Sequence, residues 1–406
     1  MKKISSDLKG KSIDELQKTN SSGFQFSPFW SEEDQPHFPF PQIPGAFPFT
    51  RSFRSQNNAW EISQSIDLSQ PEDVANRQIL DALQGGANAI YLLNYTAKVQ
   101  LNQVFQGVFL NYIALHFAPH AYTEVVQHLK EVASAHQTPL EEVTGSFGLK
   151  FAEKTWDVFP KMRAITISTV GKSMSPQEEI NDIAEQATEF FRHHSVEEWA
   201  PYVQLELEVK TDYFSEIAKL RALRTVYAQL TKALGAKNVC SSATFIHSVS
   251  APSSILPELE HNNLLRTTTE AMSAILGATN TLTLLPHQPE SADFSLRMSR
   301  NIQHLLQNES YFDQVIDPAA GSYFLENLTQ QMFEQTVNSL IKQHPAFENF
   351  DWMNPAVDEF IPQNQQPNFE TAEQISLKPF YQKEDERAVE HIGFGAGIPP
   401  FLRGPY

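Results

Sequence analysis

The 406-residue chain is 41% hydrophobic, enough for one large α/β domain with extensions and a sizeable core. A formal net charge of −18 argues against nucleic acid and anionic membrane as partners. The single cysteine, Cys240, excludes an internal disulfide framework and a cysteine-based metal cluster. Met1-Lys-Lys-Ile-Ser-Ser lacks the apolar core of a secretory signal, and no apolar run reaches the roughly 18 residues of a membrane span, so the expectation is a cytoplasmic protein.

Residues 1–58 are irregular and rich in Pro and Phe. Five prolines between Pro36 and Pro48 preclude a helix there, and the aromatics predict an arm that docks on a surface. From Trp60 onward strand-like and helical segments alternate. Apolar runs predict strands near 89–93, 108–116, 146–150, 162–168, 202–209, 243–247, 281–285 and 314–317. Helical periodicity lies near 71–83, 121–135, 177–192, 213–234, 263–276, 293–308 and 326–343. The alternation implies a parallel sheet, and eight strands favour a closed (β/α)8 TIM barrel over residues 59–345.

Residues 346–369 read as a linker rich in Pro, Asn and Gln. Beyond it an internal repeat appears. Leu377-Lys-Pro-Phe-Tyr-Gln-Lys-Glu-Asp385 matches Phe26-Ser-Pro-Phe-Trp-Ser-Glu-Glu-Asp34, and Gly395-Ala-Gly-Ile-Pro-Pro-Phe-Leu-Arg403 matches Pro44-Gly-Ala-Phe-Pro-Phe-Thr-Arg51. The segment 370–406 is thus expected to begin a second copy of the unit. That C-terminal extension is expected to pack less tightly than the barrel, with Phe380, Tyr381 and Phe401 as its anchors, as Phe29, Trp30 and Phe49 anchor the first arm.

The densest run of motifs lies between His247 and Thr329. His247 ends an apolar run, Asn262-Asn263-Leu-Leu-Arg266-Thr opens a helix, and Gly277-Ala-Thr-Asn-Thr-Leu-Thr closes it. Arg300-Asn301-Ile-Gln303 and Asp317-Pro-Ala-Ala-Gly321-Ser322-Tyr323-Phe-Leu-Glu326 follow, and Phe214-Ser-Glu216-Ile-Ala-Lys219-Leu-Arg221-Ala-Leu-Arg224 precedes them. In this order and spacing the motifs resemble the barrel of the methylmalonyl-CoA mutase family. The resemblance covers about residues 26–345 and the repeat after 370.

The resemblance implies an isomerase in which adenosylcobalamin supplies a radical and an acyl-CoA lies along the barrel axis. Its residues can be checked against that chemistry. Asn58-Ala-Trp60-Glu-Ile-Ser63-Gln64-Ser65 keeps Trp60 and Gln64, but Ser63 and Ser65 stand where the family has an arginine and an active-site tyrosine. Ser168-Thr-Val170-Gly171-Lys172 replaces a Tyr-His-x-Gln loop. Ala200-Pro201-Tyr202 replaces Ala-Pro-Arg, whose guanidinium fork suits a substrate carboxylate. Only His247 survives as a candidate catalytic residue, where the family histidine polarises the thioester. The family's cobalt-ligating Asp-x-His-x-x-Gly does not occur in the sequence, so no cofactor-binding or metal residue is assigned.

Gln204, Glu206 and Glu208 alternate with apolar residues and share one strand face. They point either into the bore, where they would repel a CoA substrate, or out of a protruding strand end into solvent. The bore is expected to be closed by Tyr91, Leu93 and Tyr202, and Asp317–Tyr323 to be a fold marker.

The reading is a non-catalytic barrel like the small subunit of heterodimeric mutases. Its expected partner is a catalytic large subunit or a fused second barrel, and the holoenzyme would carry the cobalamin. The rival readings are a competent acyl-CoA isomerase barrel borrowing cobalamin from another chain, and a free-standing mutase-binding module.

Overall fold

The computed structural model describes residues 16–19, 23–27, 30, 32–34, 36, 43–151, 153–288, 292–353, 367–386, 399 and 402. Phe29, Phe401 and most of the expected linker lie outside them. Eight parallel strands close into a barrel in chain order: β1 (Glu61–Asp67), β2 (Ala89–Leu93), β3 (Ala114–Phe117), β4 (Thr144–Leu149), β5 (Met162–Ser168), β6 (Val203–Val209), β7 (Phe245–Ser250) and β8 (Thr281–Thr283). Long helices surround it: α1 (Glu72–Gln84), α2 (Glu124–Ala135), α3 (Pro176–His193), α4 (Tyr213–Ala233), α5 (Glu260–Leu276), α6 (Ala292–Asn308) and α7 (Tyr323–Gln343). All seven expected helices are present.

The strand assignments need one exchange, and the expected strand at 108–116 keeps only its end, because Leu110–Tyr112 is a helical turn and β3 starts at Ala114. The first barrel strand is β1, which the apolar pattern does not mark, and 314–317 is a turn rather than a strand. β1 was hidden because both its faces carry polar groups. Ile62 and Ile66 face the helix layer, but Gln64 between them is buried and paired with Arg300 Nη1 on α6 at 2.8 Å. The alternate positions Glu61, Ser63 and Ser65 are also polar.

β4 carries an irregularity between Ser146 and Leu149. Gly145 there has φ +127°, and a Cβ on it would lie 1.9 Å from the Leu115 carbonyl oxygen. Only glycine permits so close an approach of β4 to β3. α3 begins with a complete capping box between Ser175 and Glu178, with Pro176 in its first turn.

α4 is buried on all sides from Ser215 to Thr231, between the barrel wall and helices α3, α5 and α7. Phe47 and Phe49 of the N-terminal segment cover it at Ala228. A helix enclosed this way cannot send its charged side chains to water, so they must be paired inside the protein.

The two copies of the repeat share a structure. Lys18–Thr19 pairs antiparallel with Gln25–Phe26, and Glu32–Asp34 forms a helical turn. Phe369–Glu370 pairs with Ser376–Leu377 in the same register, and Lys383–Glu386 is a helical turn. Of the second arm's expected anchors, Phe380 is seated and the Tyr381 side chain is exposed. Phe380 is buried, the Pro379 carbonyl accepts the Ile316 N–H at 2.8 Å, and the Tyr381 carbonyl accepts from Arg51 Nη1 at 2.8 Å.

Candidate functional site

The resemblance implies that an acyl-CoA would lie along the barrel axis, so the bore is the candidate site. Its filling follows from strand register. Ser65 lies beside Tyr91, Tyr91 beside His116, His116 beside Ser146, and Ser168 beside Glu206, which is beside His247. Period two then turns one residue in two inward.

Towards the N-terminal ends of the strands, His116 Nε2 lies 2.8 Å from Glu61 Oε2 and its Nδ1 is 3.2 Å from both Ser146 Oγ and Gln204 Oε1. The Thr281 hydroxyl donates to the same Glu61 oxygen. Arg163 places its guanidinium 3.5 Å over the Phe245 ring, a cation–π contact, and Phe245 stacks on His116. Burial alone would raise the Glu61 carboxyl, but the hydrogen bonds from His116 and Thr281 hold it below the usual range.

One step along the axis, His247 Nε2 is 2.8 Å from Thr283 Oγ1 and its Nδ1 stands 3.4 Å from Glu206 Oε2. The Tyr91 ring meets the imidazole edge-on at 4.7 Å. Tyr91, His116, Glu206 and His247 are all at most 2% exposed, so these side chains occupy the axis. Burial lowers the His247 pKa, with Glu206 opposing the shift, and raises that of Tyr91 well above its ordinary value.

Glu206 also accepts from the Ser168 hydroxyl at 2.9 Å, and Glu208 accepts the Gly171 N–H at 2.9 Å. Gln204, Glu206 and Glu208 are thus buried, with Gln204 and Glu206 bonded within the bore, which decides between the two orientations left open by the sequence.

Other positions flagged by the sequence have different fates. Tyr202 does not help close the axis: it precedes β6, half-buried, with its ring stacked on Trp156 at 4.3 Å. Leu93 is half-buried at the end of β2. Ser63 and Ser65 are buried in β1. Lys172 makes a surface ion pair with Asp182 at 2.7 Å. Asn263 braces the turn before α5, accepting the Leu256 N–H and donating to the Leu256 carbonyl, with Arg266 bonded to it. His116, Glu61 and Arg163 went unflagged. The inward parity of β3 could have revealed His116, whereas Glu61 lay in the strand that the pattern concealed.

The motifs that do match the family hold buried ions around α4. Arg221 forms ion pairs with Asp317 and, at 2.6 Å, with Glu326, while Arg51 Nε lies 3.4 Å from Asp317. Glu326 Oε1 also accepts the Gly321 N–H at 2.9 Å. Lys219 lies 2.5 Å from both Glu179 and Glu216, and donates to the Glu208 carbonyl at 2.6 Å. Burial would depress the Lys219 pKa, but Glu179 and Glu216 raise it. Asp317-Pro-Ala-Ala-Gly-Ser-Tyr is therefore an ion-anchored turn, as a fold marker should be.

A protein-family model described as methylmalonyl-CoA mutase matches residues 175–363, a span that contains both ion-bearing motifs. The methylmalonyl-CoA mutase small subunit of Porphyromonas gingivalis is 28% identical over 378 residues, covering 82% of this chain and 60% of the relative. The small subunit of Streptomyces virginiae is 25% identical over 371 residues, covering 82% and 59%. The Porphyromonas gingivalis large subunit is 37% identical over 151 residues, 36% of this chain and 21% of the relative. The chain spans about 60% of the length of the small subunits it matches. By its motifs, its barrel and these relatives, the chain is similar to the methylmalonyl-CoA mutase family and resembles the small subunits along most of its length.

Proposed function

We propose that this chain is the non-catalytic, structural barrel of an adenosylcobalamin-dependent methylmalonyl-CoA mutase, cytoplasmic and working beside a catalytic large subunit or a fused second barrel. The observation that carries the reading is the packing of Tyr91, His116, Glu206 and His247 across the axis. A pantetheine arm would have to displace these side chains and leave Glu206 and His247 without each other. Carboxylates lining the bore would also repel the phosphates and carboxylate of an acyl-CoA.

Adenosylcobalamin supplies the radical in such a holoenzyme. The described residues do not fit it or its substrate here, because the axis is already filled and Tyr202, at the place of the carboxylate-binding arginine, is engaged by Trp156. His247, the candidate catalytic residue, is instead a bonded core residue on this reading.

The repeat extends the proposal to domain organisation. Residues 370–406 begin a second mutase-type unit, and residues 1–58 are the corresponding arm of the first. Purified chain supplied with methylmalonyl-CoA and adenosylcobalamin should show no turnover, and should form a stable complex with a catalytic mutase chain. Cobalamin-dependent turnover by the chain alone would contradict the proposal.

A further inference from the structure

The two arms share an order of secondary structure and a Pro-Phe-aromatic-x-x-Glu-Asp core at a constant offset of 351 residues: Lys18 corresponds to Phe369, Phe26 to Leu377 and Glu32 to Lys383. They nevertheless dock in different places. The first arm lies on the start of α7. Phe24 is 1% exposed in the main core, Phe26 and Trp30 set their rings 5.0 and 6.0 Å from Phe324, and Asn327 donates to the Asp34 carbonyl. The second arm lies on the turn before α7, through Pro379, Phe380 and the Tyr381 carbonyl on Arg51.

The offset shows what the second arm leaves unused. Ile375 corresponds to Phe24 and Tyr381 to Trp30, the residues with which the first arm grips its own barrel. In the second arm these side chains are 57% and 41% exposed. The buried part of this arm is Pro379 and Phe380.

We infer that the second arm is a two-sided strap. Its Pro379–Phe380 edge holds the first barrel, and its Ile375–Tyr381 face is a docking surface for a second mutase-type barrel, at the start of the helix equivalent to α7. This rests on the proposed second unit and adds the geometry by which it is tied to the first. The occupant is specified by the repeat itself, since the first arm shows which surface the equivalent residues take. That surface is an aromatic at the helix start, as Phe324 is, and an amide one turn on, as Asn327 is. Apolar side chains exposed on so short a hairpin gain from such burial, and the first arm demonstrates the contact.

Two experiments decide it. The first installs the second arm's face in the first arm of the full chain, as the pair Phe24→Ile and Trp30→Tyr. Hydrogen exchange at residues 23–34 should stay within about threefold of the parent, whereas Phe24→Asp should release the arm and speed exchange by about a hundredfold or more. Release of the arm by the Ile/Tyr pair to the same extent as by Phe24→Asp would overturn the inference.

The second places a photo-crosslinking side chain at position 375 or 381 of the full chain, with position 373 as control. The partner is the Porphyromonas gingivalis large subunit lacking its own N-terminal arm. Crosslinks from 375 and 381, but not 373, should map to the start of its α7 equivalent. A complex that forms without those crosslinks overturns the strap alone. If no complex forms, the proposed partnership with a catalytic chain fails, and the strap with it.

Discussion

The bore and the ion collar around α4 are both buried and both polar, yet they retain different things. In the collar, the residues that mark the family are in place: Glu216, Lys219 and Arg221 on α4 meet Glu179, Asp317 and Glu326. In the bore, positions where the resemblance implies substrate-binding groups hold Ser63, Ser65 and Ser168, and the axis is filled by a tyrosine, two histidines and a glutamate. The collar's charges are needed because α4 is enclosed and an unpaired ion there is costly. The bore's groups are needed only if substrate passes. Motifs that define a family can therefore be those that build its fold, and their survival says little about chemistry.

The largest effect that sharpens this contrast belongs to the collar. Arg221→Met leaves Asp317 and Glu326 buried without their shared cation. It should cost about 3–5 kcal/mol in urea denaturation. A loss below about 1 kcal/mol would remove the structural reading of the motif.

The acidic side of the collar makes stability depend on pH. Burial raises Glu216 to about 7 against the pull of Lys219, and beside the collar Glu270, buried on α5, is raised to about 8 by burial with repulsion from Glu216 and Glu208. A carboxyl whose folded value lies above its unfolded one binds its proton more tightly in the native state. Its contribution is complete below about pH 4.5 and is lost as pH rises to about 7 for Glu216 and about 8 for Glu270. Denaturation midpoints should fall from pH 5 to pH 8, and Glu270→Gln should flatten the upper part of that decline. A midpoint that rises over this range would refute the assignment.

In the bore the expected effect is smaller and of another kind. His247→Leu removes the partner of Thr283 and Glu206 and should cost about 1–3 kcal/mol. It should leave turnover of a complex with a catalytic chain within about twofold of the parent. Loss of turnover by a hundredfold, with the complex intact, would return His247 to a catalytic role. The smallest effect belongs to the surface: Lys172→Ala should change stability by no more than about 0.5 kcal/mol, because its pair with Asp182 is solvated.

Much of this was legible in the sequence, for identifiable reasons. The helices show because each has an amphipathic period or, for α4, a dense family motif. Strands β2, β5 and β6 show because their outward faces are apolar. β1 does not, since Gln64 interrupts its outward face to meet Arg300. Gln-Val-Ile-Asp at 314–317 imitates a strand while serving as a turn bonded to Pro379.

In the site, the acids of β6 were placed on one face by parity alone. The bonds of Glu206 to Ser168 and of Glu208 to Gly171, like that of Gln204 to His116, come from other strands and loops, which no local pattern encodes. The repeat was legible as sequence. Which faces the second arm buries was not, because that depends on Arg51 and Ile316, more than sixty residues away along the chain.

The central claim is that this bore is a closed protein core rather than a substrate channel. Calorimetric titration of the purified chain with methylmalonyl-CoA tests it most directly. The account predicts no saturable binding up to millimolar ligand. One-to-one binding at micromolar concentration, abolished by a bulky substitution at Ser65 in the bore wall, would contradict it.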